Sequence, residues 1–127
     1  MIRVLIVDDD ADIRDAVGDQ LADLGCETVC ASSGTSALSL LRAGERPDLI
    51  LLDLVMPGMG GGEFLMALRR DPLLPQIPVV LMSASGAKAL VSFEGVVPVV
   101  RKPMPPAQLD QIVRTHESSA ARRNATS

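Results

Sequence analysis

The stretch from Pro47 to Gly61 reads PDLILLDLVMPGMGG, and the rest of the chain is predicted to be organised around it. The apolar run 49–52 ends in a carboxylate, Asp53, and is typical of a strand that is covered on both faces, as in a parallel sheet. Because open α/β sheets bind ligands at the carboxyl ends of their strands, Asp53 is a candidate functional group. Aspartate also commonly starts turns, and the run taken alone favours that simpler role.

Strand and helix patterns alternate along the rest of the chain. The predicted strands are 3–7, 27–31, 47–54, 79–82 and 96–100, and the predicted helices are 11–24, 33–43, 62–70, 86–94 (weak) and 108–116. Five strand–helix repeats predict an α/β fold, a single doubly wound five-stranded parallel sheet with helices on both faces. Right-handed crossovers favour the flavodoxin-like strand order 2-1-3-4-5. We expect one domain over residues 1–117, followed by a polar frayed helix end or tail over 118–127.

The composition excludes several function classes. The 127 residues carry a net charge of −4 and include two Phe, no Trp and no Tyr. Without a basic stripe or aromatic stacking platforms, we expect no nucleic-acid binding by this domain. The apolar part of the N-terminus is too short for a signal peptide, and no run approaches the ~20 apolar residues of a membrane span. We therefore expect no membrane association and a cytoplasmic location.

Polar side chains follow four of the five predicted strands. Asp8 and Asp9 follow the first strand, Asp53 ends the third, Ser83 follows the fourth and Lys102 follows the fifth. In the predicted strand order these ends meet at one edge of the sheet. Three clustered acids require a cation, and carboxylate oxygens without His or thiolate neighbours favour Mg²⁺, with Mn²⁺ as a substitute.

The same residues suit phosphoryl chemistry. A magnesium ion that keeps several waters can take phosphoryl oxygens as ligands. Lys102 can hold one phosphoryl oxygen as a point charge, and the Ser83 hydroxyl can donate to another. Asp53 is then left as the nucleophile that forms an aspartyl-phosphate. Each residue taken singly also has an ordinary role: the acids can stabilise a helix N-terminus, the serine a turn, and the lysine can be solvated. Their joint placement at the correct strand ends favours the functional interpretation.

Four segments resemble the receiver domains of two-component response regulators. They are LIVDDDADIR, LLDLVMPGMGGGEF, PVVLMSA and VRKPM, and the resemblance covers roughly residues 2–116. It implies that Asp53 accepts a phosphoryl group from a sensor histidine kinase or a histidine phosphotransfer protein. It also implies that Asp9 ligates the metal directly, Asp8 acts mostly through water, and Val55 offers its backbone carbonyl.

The resemblance assigns the remaining site residues as well. Ser83 corresponds to the switch hydroxyl that moves toward the phosphoryl group, and Lys102 to the lysine that pairs with it. The bond between Lys102 and Pro103 is expected to be cis.

The chain departs from the receiver pattern at the second half of the switch. Val99 stands where receivers commonly carry an aromatic residue, and the segment between Ser83 and Lys102 is short. We expect an altered switch and a brief helix over 86–94. That helix, the fifth strand and the last helix are the face where receivers form homodimers and deliver their output.

Two other functions compete with a phosphorylated receiver. A receiver-like scaffold would bind partners without phosphorylation, although it would not need the complete set of acids, serine and lysine. A magnesium-dependent phosphatase would need a general acid two residues after the nucleophile, where Val55 cannot transfer a proton. The apolar Val55 side chain also predicts slow to moderate autodephosphorylation. The sequence names neither the kinase nor the output, and it fits both a stand-alone regulator and a piece of a larger one.

Overall fold

The computed structural model describes residues 2–74, 76–83, 98–102 and 104–126, with side chains described as far as residue 117. Nine elements follow in chain order. They are β1 (Arg3–Val7), α1 (Ala11–Asp23), β2 (Glu27–Ala31), α2 (Gly34–Arg42), β3 (Leu49–Asp53), α3 (Gly61–Arg70), β4 (Val79–Ser83), β5 (Val99–Arg101) and α4 (Pro106–Thr126).

The described strands form one sheet in the order β2-β1-β3-β4-β5, and every neighbouring pair is parallel. The predicted doubly wound fold and its strand order are confirmed. All five residues of β3 and all five of β4 are buried, which explains why both strands read as continuous apolar runs rather than alternating ones.

Among the described elements, two helices cover each face of the sheet. Because successive strand side chains point to opposite faces, odd and even positions contribute to different cores. One core joins Leu5, Val7, Ile50 and Leu52 to α2 and α3, and includes Leu38, Leu41, Phe64 and Leu68. The other joins Val4, Ile6, Leu49 and Leu51 to α1 and α4, and includes Leu21, Leu109 and Val113. The central strands are thereby packed on both sides.

The strand register sets which side chains meet at that edge. Val7 pairs with Leu52, so the next residues, Asp8 and Asp53, are level with each other. Farther along the sheet, Ser83 pairs with Arg101, so the chain enters Lys102 immediately beyond the Ser83 position. The amide of Lys102 donates to the Ser83 carbonyl at 3.0 Å, which continues the ladder by one hydrogen bond.

The last helix differs from its prediction. It begins at Pro106 rather than at 108, and its backbone stays helical to Thr126, through the segment expected to be a frayed end or tail. Proline is well tolerated in the first turn of a helix, where its missing N–H has no partner to lose. The segment 117–126 contains three Ala and two Arg, which favour helix without leaving an apolar period that a sequence pattern can detect.

Some expectations lie outside the described residues. They are the weakly helical segment 86–94, the first part of the predicted fifth strand, and the cis bond to Pro103. Within the described part, β5 covers Val99–Arg101, and the amide of Leu81 donates to the Pro98 carbonyl just before it. None of the helices that the structure describes is long and apolar enough to cross a membrane.

Candidate functional site

The candidate site lies at the carboxyl edge of the sheet and contains a lysine between two buried carboxylates. Lys102 Nζ lies 2.6 Å from Asp8 Oδ2 and 3.1 Å from Asp53 Oδ1. Asp8 is fully buried, Asp53 is 6% exposed, and the lysine side chain is 12% exposed. These residues come from β1, β3 and the end of β5, so the fold brings together side chains that are far apart in sequence.

Burial and charge shift the pKa values of this group. Burial raises the pKa of Asp53, and the charge of Asp8 adds to the increase, while hydrogen bonds from Lys102 and from the Val55 amide oppose it. Burial by itself would lower the pKa of Lys102, but hydrogen bonds to Asp8 and Asp53 and their negative charges outweigh it and raise that pKa. The lysine therefore stays charged at neutral pH, whereas burial makes the ionised form of Asp53 less favourable than it would be in water.

Asp8 and Asp9 occupy different environments. Asp8 Oδ2 accepts from Lys102, and Asp8 Oδ1 accepts from the amide of Asp10 at 3.0 Å. Asp9 is exposed, and its carboxylate makes no hydrogen bond or ion pair with the part of the chain that the structure describes. Asp8 thus has both oxygens engaged by the protein, whereas both oxygens of Asp9 remain open to an added ligand.

Three carboxylates of this edge are close enough to share one cation. Asp8, Asp9 and Asp53 each offer an oxygen, and these oxygens lie within 4.8 Å of one another. Three ionised carboxylates and one ammonium leave two negative charges in the group. The donors are hard oxygens, which suits magnesium or manganese better than a softer metal.

Ser83 and Val55 lie at the same edge, whereas Val99 lies at the start of β5. Ser83 is 1% exposed at the end of β4, one strand away from Asp53. Val55 directs its backbone amide to the Asp53 carboxylate, and the residue as a whole is 63% exposed. Val99 is half-buried, pairs with Leu81 and packs against the core beneath α2 and α3.

One supporting residue, Arg14, was not apparent from the sequence, whereas Asp10 was a candidate cap of the first helix. Arg14 Nη1 donates to the backbone carbonyl of Asp8 at 2.7 Å and so holds the turn that carries the acids. A cation in the first turns of a helix is electrostatically unfavourable, which was the available signal that Arg14 has a specific partner. Asp10 caps α1 by accepting from the amides of Asp12 and Ile13.

A glycine fixes the start of α3 against the strand that carries Asp53. A Cβ on Gly61 would lie 2.6 Å from the Asp53 carbonyl oxygen and 2.8 Å from Leu54 Cα. The Gly61 amide also donates to the Leu54 carbonyl at 2.9 Å. The backbone of α3 can approach β3 this closely because Gly61 has no side chain.

Comparison with known proteins gives the class to which this fold and site belong. Residues 4–114 match the family model described as the response regulator receiver domain. The DNA-binding response regulator MtrA of Mycobacterium tuberculosis is 35% identical over 112 residues, which are 88% of this chain and 49% of MtrA. The phosphate regulon transcriptional regulatory protein PhoB of Pseudomonas aeruginosa is 39% identical over 83 residues, which are 65% of this chain and 36% of PhoB. The chain thus spans about half, or less, of the length of these relatives.

Solved structures agree with that assignment. The chemotaxis protein CheY4 of Vibrio cholerae is 30% identical with a TM-score of 0.80, covering 91% of this chain and 98% of CheY4. A CheY-like receiver domain protein from Methanospirillum hungatei JF-1 is 35% identical with a TM-score of 0.75, covering 96% of this chain and 97% of its own. The chain belongs to the response regulator receiver family, whose general role is phosphorylation-based signalling in two-component systems. Proteins of this family act as signalling proteins rather than as ordinary enzymes.

Proposed function

We propose that this chain is a receiver domain, over residues 1–117, that accepts a phosphoryl group on Asp53 and signals by changing its affinity for partners. The observation that carries the proposal is the contact of Lys102 with both Asp8 and Asp53 at the edge where three acids meet. Burying a lysine between two carboxylates costs desolvation energy, and such charged clusters are concentrated at functional sites. Here the lysine is suited to bind an anionic group.

The proposed reaction is an in-line displacement. A carboxylate oxygen of Asp53 attacks phosphorus, a new O–P bond forms, and the bond from phosphorus to the donor's leaving nitrogen or oxygen breaks. Lys102, 3.1 Å from Asp53 Oδ1, would pair with an oxygen of the transferred group. The buried hydroxyl of Ser83, on the neighbouring strand, would donate to a second oxygen.

The acidic group fits a magnesium ion. Asp9 would ligate it directly, since its carboxylate makes no hydrogen bond or ion pair with other described residues, and Asp53 and the Val55 carbonyl would complete the protein's share. Asp8 would act mostly through water, because Lys102 and the Asp10 amide already engage its oxygens. When bound, Mg²⁺ supplies positive charge to the phosphoryl oxygens, and Mn²⁺ can supply the same.

The proposed partners follow from the family. The phosphodonor would be a sensor histidine kinase or a histidine phosphotransfer protein, and a downstream effector would read the phosphorylated state. MtrA is named as DNA-binding and PhoB as a transcriptional regulator, while the present chain covers only part of either protein. A homodimer through the segment 86–94, β5 and α4 is a further proposal, and this signalling role favours a cytoplasmic location.

Val55 bears on the lifetime of the phosphoryl group. Its exposed apolar side chain cannot orient a water for attack on phosphorus. We expect slow to moderate autodephosphorylation. A release of phosphate that is complete within seconds would contradict this expectation.

A phosphorylation assay with a matched control tests the function. The wild type is incubated with acetyl phosphate and Mg²⁺, and intact mass reports the added phosphoryl group. The Asp53→Asn variant should take none, while Asp19→Asn, which changes an exposed acid on α1, should be labelled like the wild type. A labelled Asp53→Asn variant, or an unlabelled wild type, would refute the proposal.

The Val99 substitution motivates a second test, of how the signal spreads. Val99 packs against the core and pairs with Leu81. Because this residue is valine, no aromatic side chain can change its rotamer here in response to Ser83. We expect a phosphate mimic to change amide exchange across 84–100 less than in receivers with an aromatic switch. A large change in protection confined to 84–100 would count against this expectation.

A scaffold that binds partners without phosphorylation is the second candidate function. The absence of an aromatic at Val99 is the observation that favours it, since this position departs from the common receiver pattern. If a partner captured with the wild type binds Asp53→Asn equally well, with and without phosphodonor, the scaffold is favoured.

A further inference from the structure

The loop that follows Asp53 rests on the first residue of α2. This loop, residues 54–60, joins β3 to α3. A Cβ on Gly34 would lie 2.9 Å from both Met59 Cγ and Met59 Sδ, and 3.2 Å from Met59 Cβ. The Met59 side chain therefore occupies the space that any side chain at position 34 would need, although the two residues are 25 positions apart in sequence.

Other contacts hold the two ends of the same loop. At its start the Leu54 amide donates to the Met82 carbonyl at 2.9 Å, and at its end the Gly61 amide donates to the Leu54 carbonyl. Between these ends Met56 is buried in the core, and Met59 lies against Gly34. Val55, whose amide donates to the Asp53 carboxylate, lies in the loop between these contacts.

We propose that Met59, seated on Gly34, is a positioning residue for the cation and phosphoryl site. By fixing the loop against α2, the contact sets where the Val55 carbonyl and amide lie relative to Asp53. The inference rests on the proposed function, because it assigns the Val55 carbonyl and the Asp53 carboxylate to the bound cation. Neither Met59 nor Gly34 would touch the reacting groups.

The geometry explains why a substitution at Gly34 should act through the loop. The ends of the Met59 side chain could rotate away from an added methyl group, but Met59 Cβ is fixed to the loop backbone. Relieving its 3.2 Å contact therefore requires the loop itself to shift by a few tenths of an ångström. Gly34 does not have a positive φ, and alanine is a better helix former than glycine, so Gly34→Ala should not weaken α2 itself.

Four variants separate a positioning role from a general loss of stability. They are Gly34→Ala, Met59→Ala, the double variant, and the control Gly18→Ala. A Cβ on Gly18, in α1, would meet only Ile6 Cδ1 at an ordinary 3.9 Å among its described neighbours. The first measurement is amide exchange of residues 54–60 without metal, and the second is the Mg²⁺ concentration that gives half of the maximal thermal stabilisation.

Gly34→Ala should speed exchange of the Val55 amide and raise the Mg²⁺ midpoint by about tenfold, the lower end of the effect of outer-shell changes. Met59→Ala should shift both in the same direction. The double variant should be no worse than Met59→Ala, because the clash is gone once the methionine is removed. Gly18→Ala should match the wild type in both measurements.

Three results would overturn the inference. They are a Gly34→Ala variant with an unchanged Mg²⁺ midpoint, a changed midpoint without faster loop exchange, and additive effects in the double variant. If the wild type does not respond to Mg²⁺, the proposed function fails instead. Exchange of the Val55 amide then decides by itself whether Gly34 and Met59 fix the loop, and unchanged exchange overturns the inference.

Discussion

Replacing Lys102 with methionine tests the electrostatics of the site. The substitution keeps a long side chain but removes the charge between Asp8 and Asp53. At an effective dielectric constant of about 20, contacts of 2.6 and 3.1 Å each correspond to roughly 5–6 kcal/mol of attraction, much of it offset by desolvation. Removing one partner of a buried ion pair typically costs about 3–5 kcal/mol, because the remaining charge is left uncompensated. For a domain of this size that corresponds to a melting temperature lower by about 10–20 °C.

Thermal unfolding in the presence of a chelator measures this cost. Arg101→Met is the matched control, since it removes an exposed positive charge from the adjacent position, and it should change stability by less than about 0.5 kcal/mol. Adding Asp8→Asn to Lys102→Met should recover part of the loss, because one of the two uncompensated carboxylates becomes neutral. Unfolding of Lys102→Met at the wild-type temperature would contradict this prediction, because it would show that the two ion pairs do not stabilise the folded protein.

Three further predictions concern the same edge of the sheet. Because the pKa of Asp53 is raised in the folded state, protonation of Asp53 favours the folded state. This stabilisation is complete below the unfolded pKa of about 3.9 and is lost as pH rises through the folded pKa. Asp53→Asn should therefore be more stable than the wild type at neutral pH without metal, and urea unfolding should show this advantage shrinking toward pH ~4. Mg²⁺ at one hundred times its dissociation constant should raise the unfolding free energy of the wild type by about 2.7 kcal/mol, and Asp9→Asn should lose most of that gain in a thermal shift assay. Gly61→Ala should cost about 1–3 kcal/mol in chemical denaturation, because the added methyl group meets the backbone of Asp53 and Leu54 and no rotamer relieves it, whereas Gly18→Ala should be near neutral.

The central strands and the residues at their ends were predictable from the sequence. Buried parallel strands leave long apolar runs, and a functional side chain that follows such a run is fixed at the edge by the period of the strand. For this reason Asp53, Asp8 and Ser83 were placed correctly at one edge without any knowledge of contacts. Lys102 was placed there in the same way, from the short strand that precedes it.

The features that the sequence did not reveal either leave no periodic pattern or depend on contacts that only the folded chain makes. The polar end of α4 lacks an apolar period, so its helical backbone to Thr126 leaves little trace in the pattern. The resemblance implied different roles for Asp8 and Asp9, but the hydrogen bonds from Lys102 and the Asp10 amide that engage both oxygens of Asp8 were visible only in the structure. Met59, in the loop after β3, packs against Gly34 of α2, the helix before β3. Residue spacing alone does not predict this contact.

Chemical identification of the phosphorylated residue tests whether Asp53 is the phosphoacceptor. The wild type is treated with acetyl phosphate and Mg²⁺, the acyl phosphate is reduced with borohydride, and peptide mass spectrometry locates the aspartate converted to homoserine. Conversion is expected at Asp53, and none when phosphodonor or Mg²⁺ is omitted. Conversion at Asp8 or Asp9 instead, or no conversion in a protein that remains folded, would contradict it.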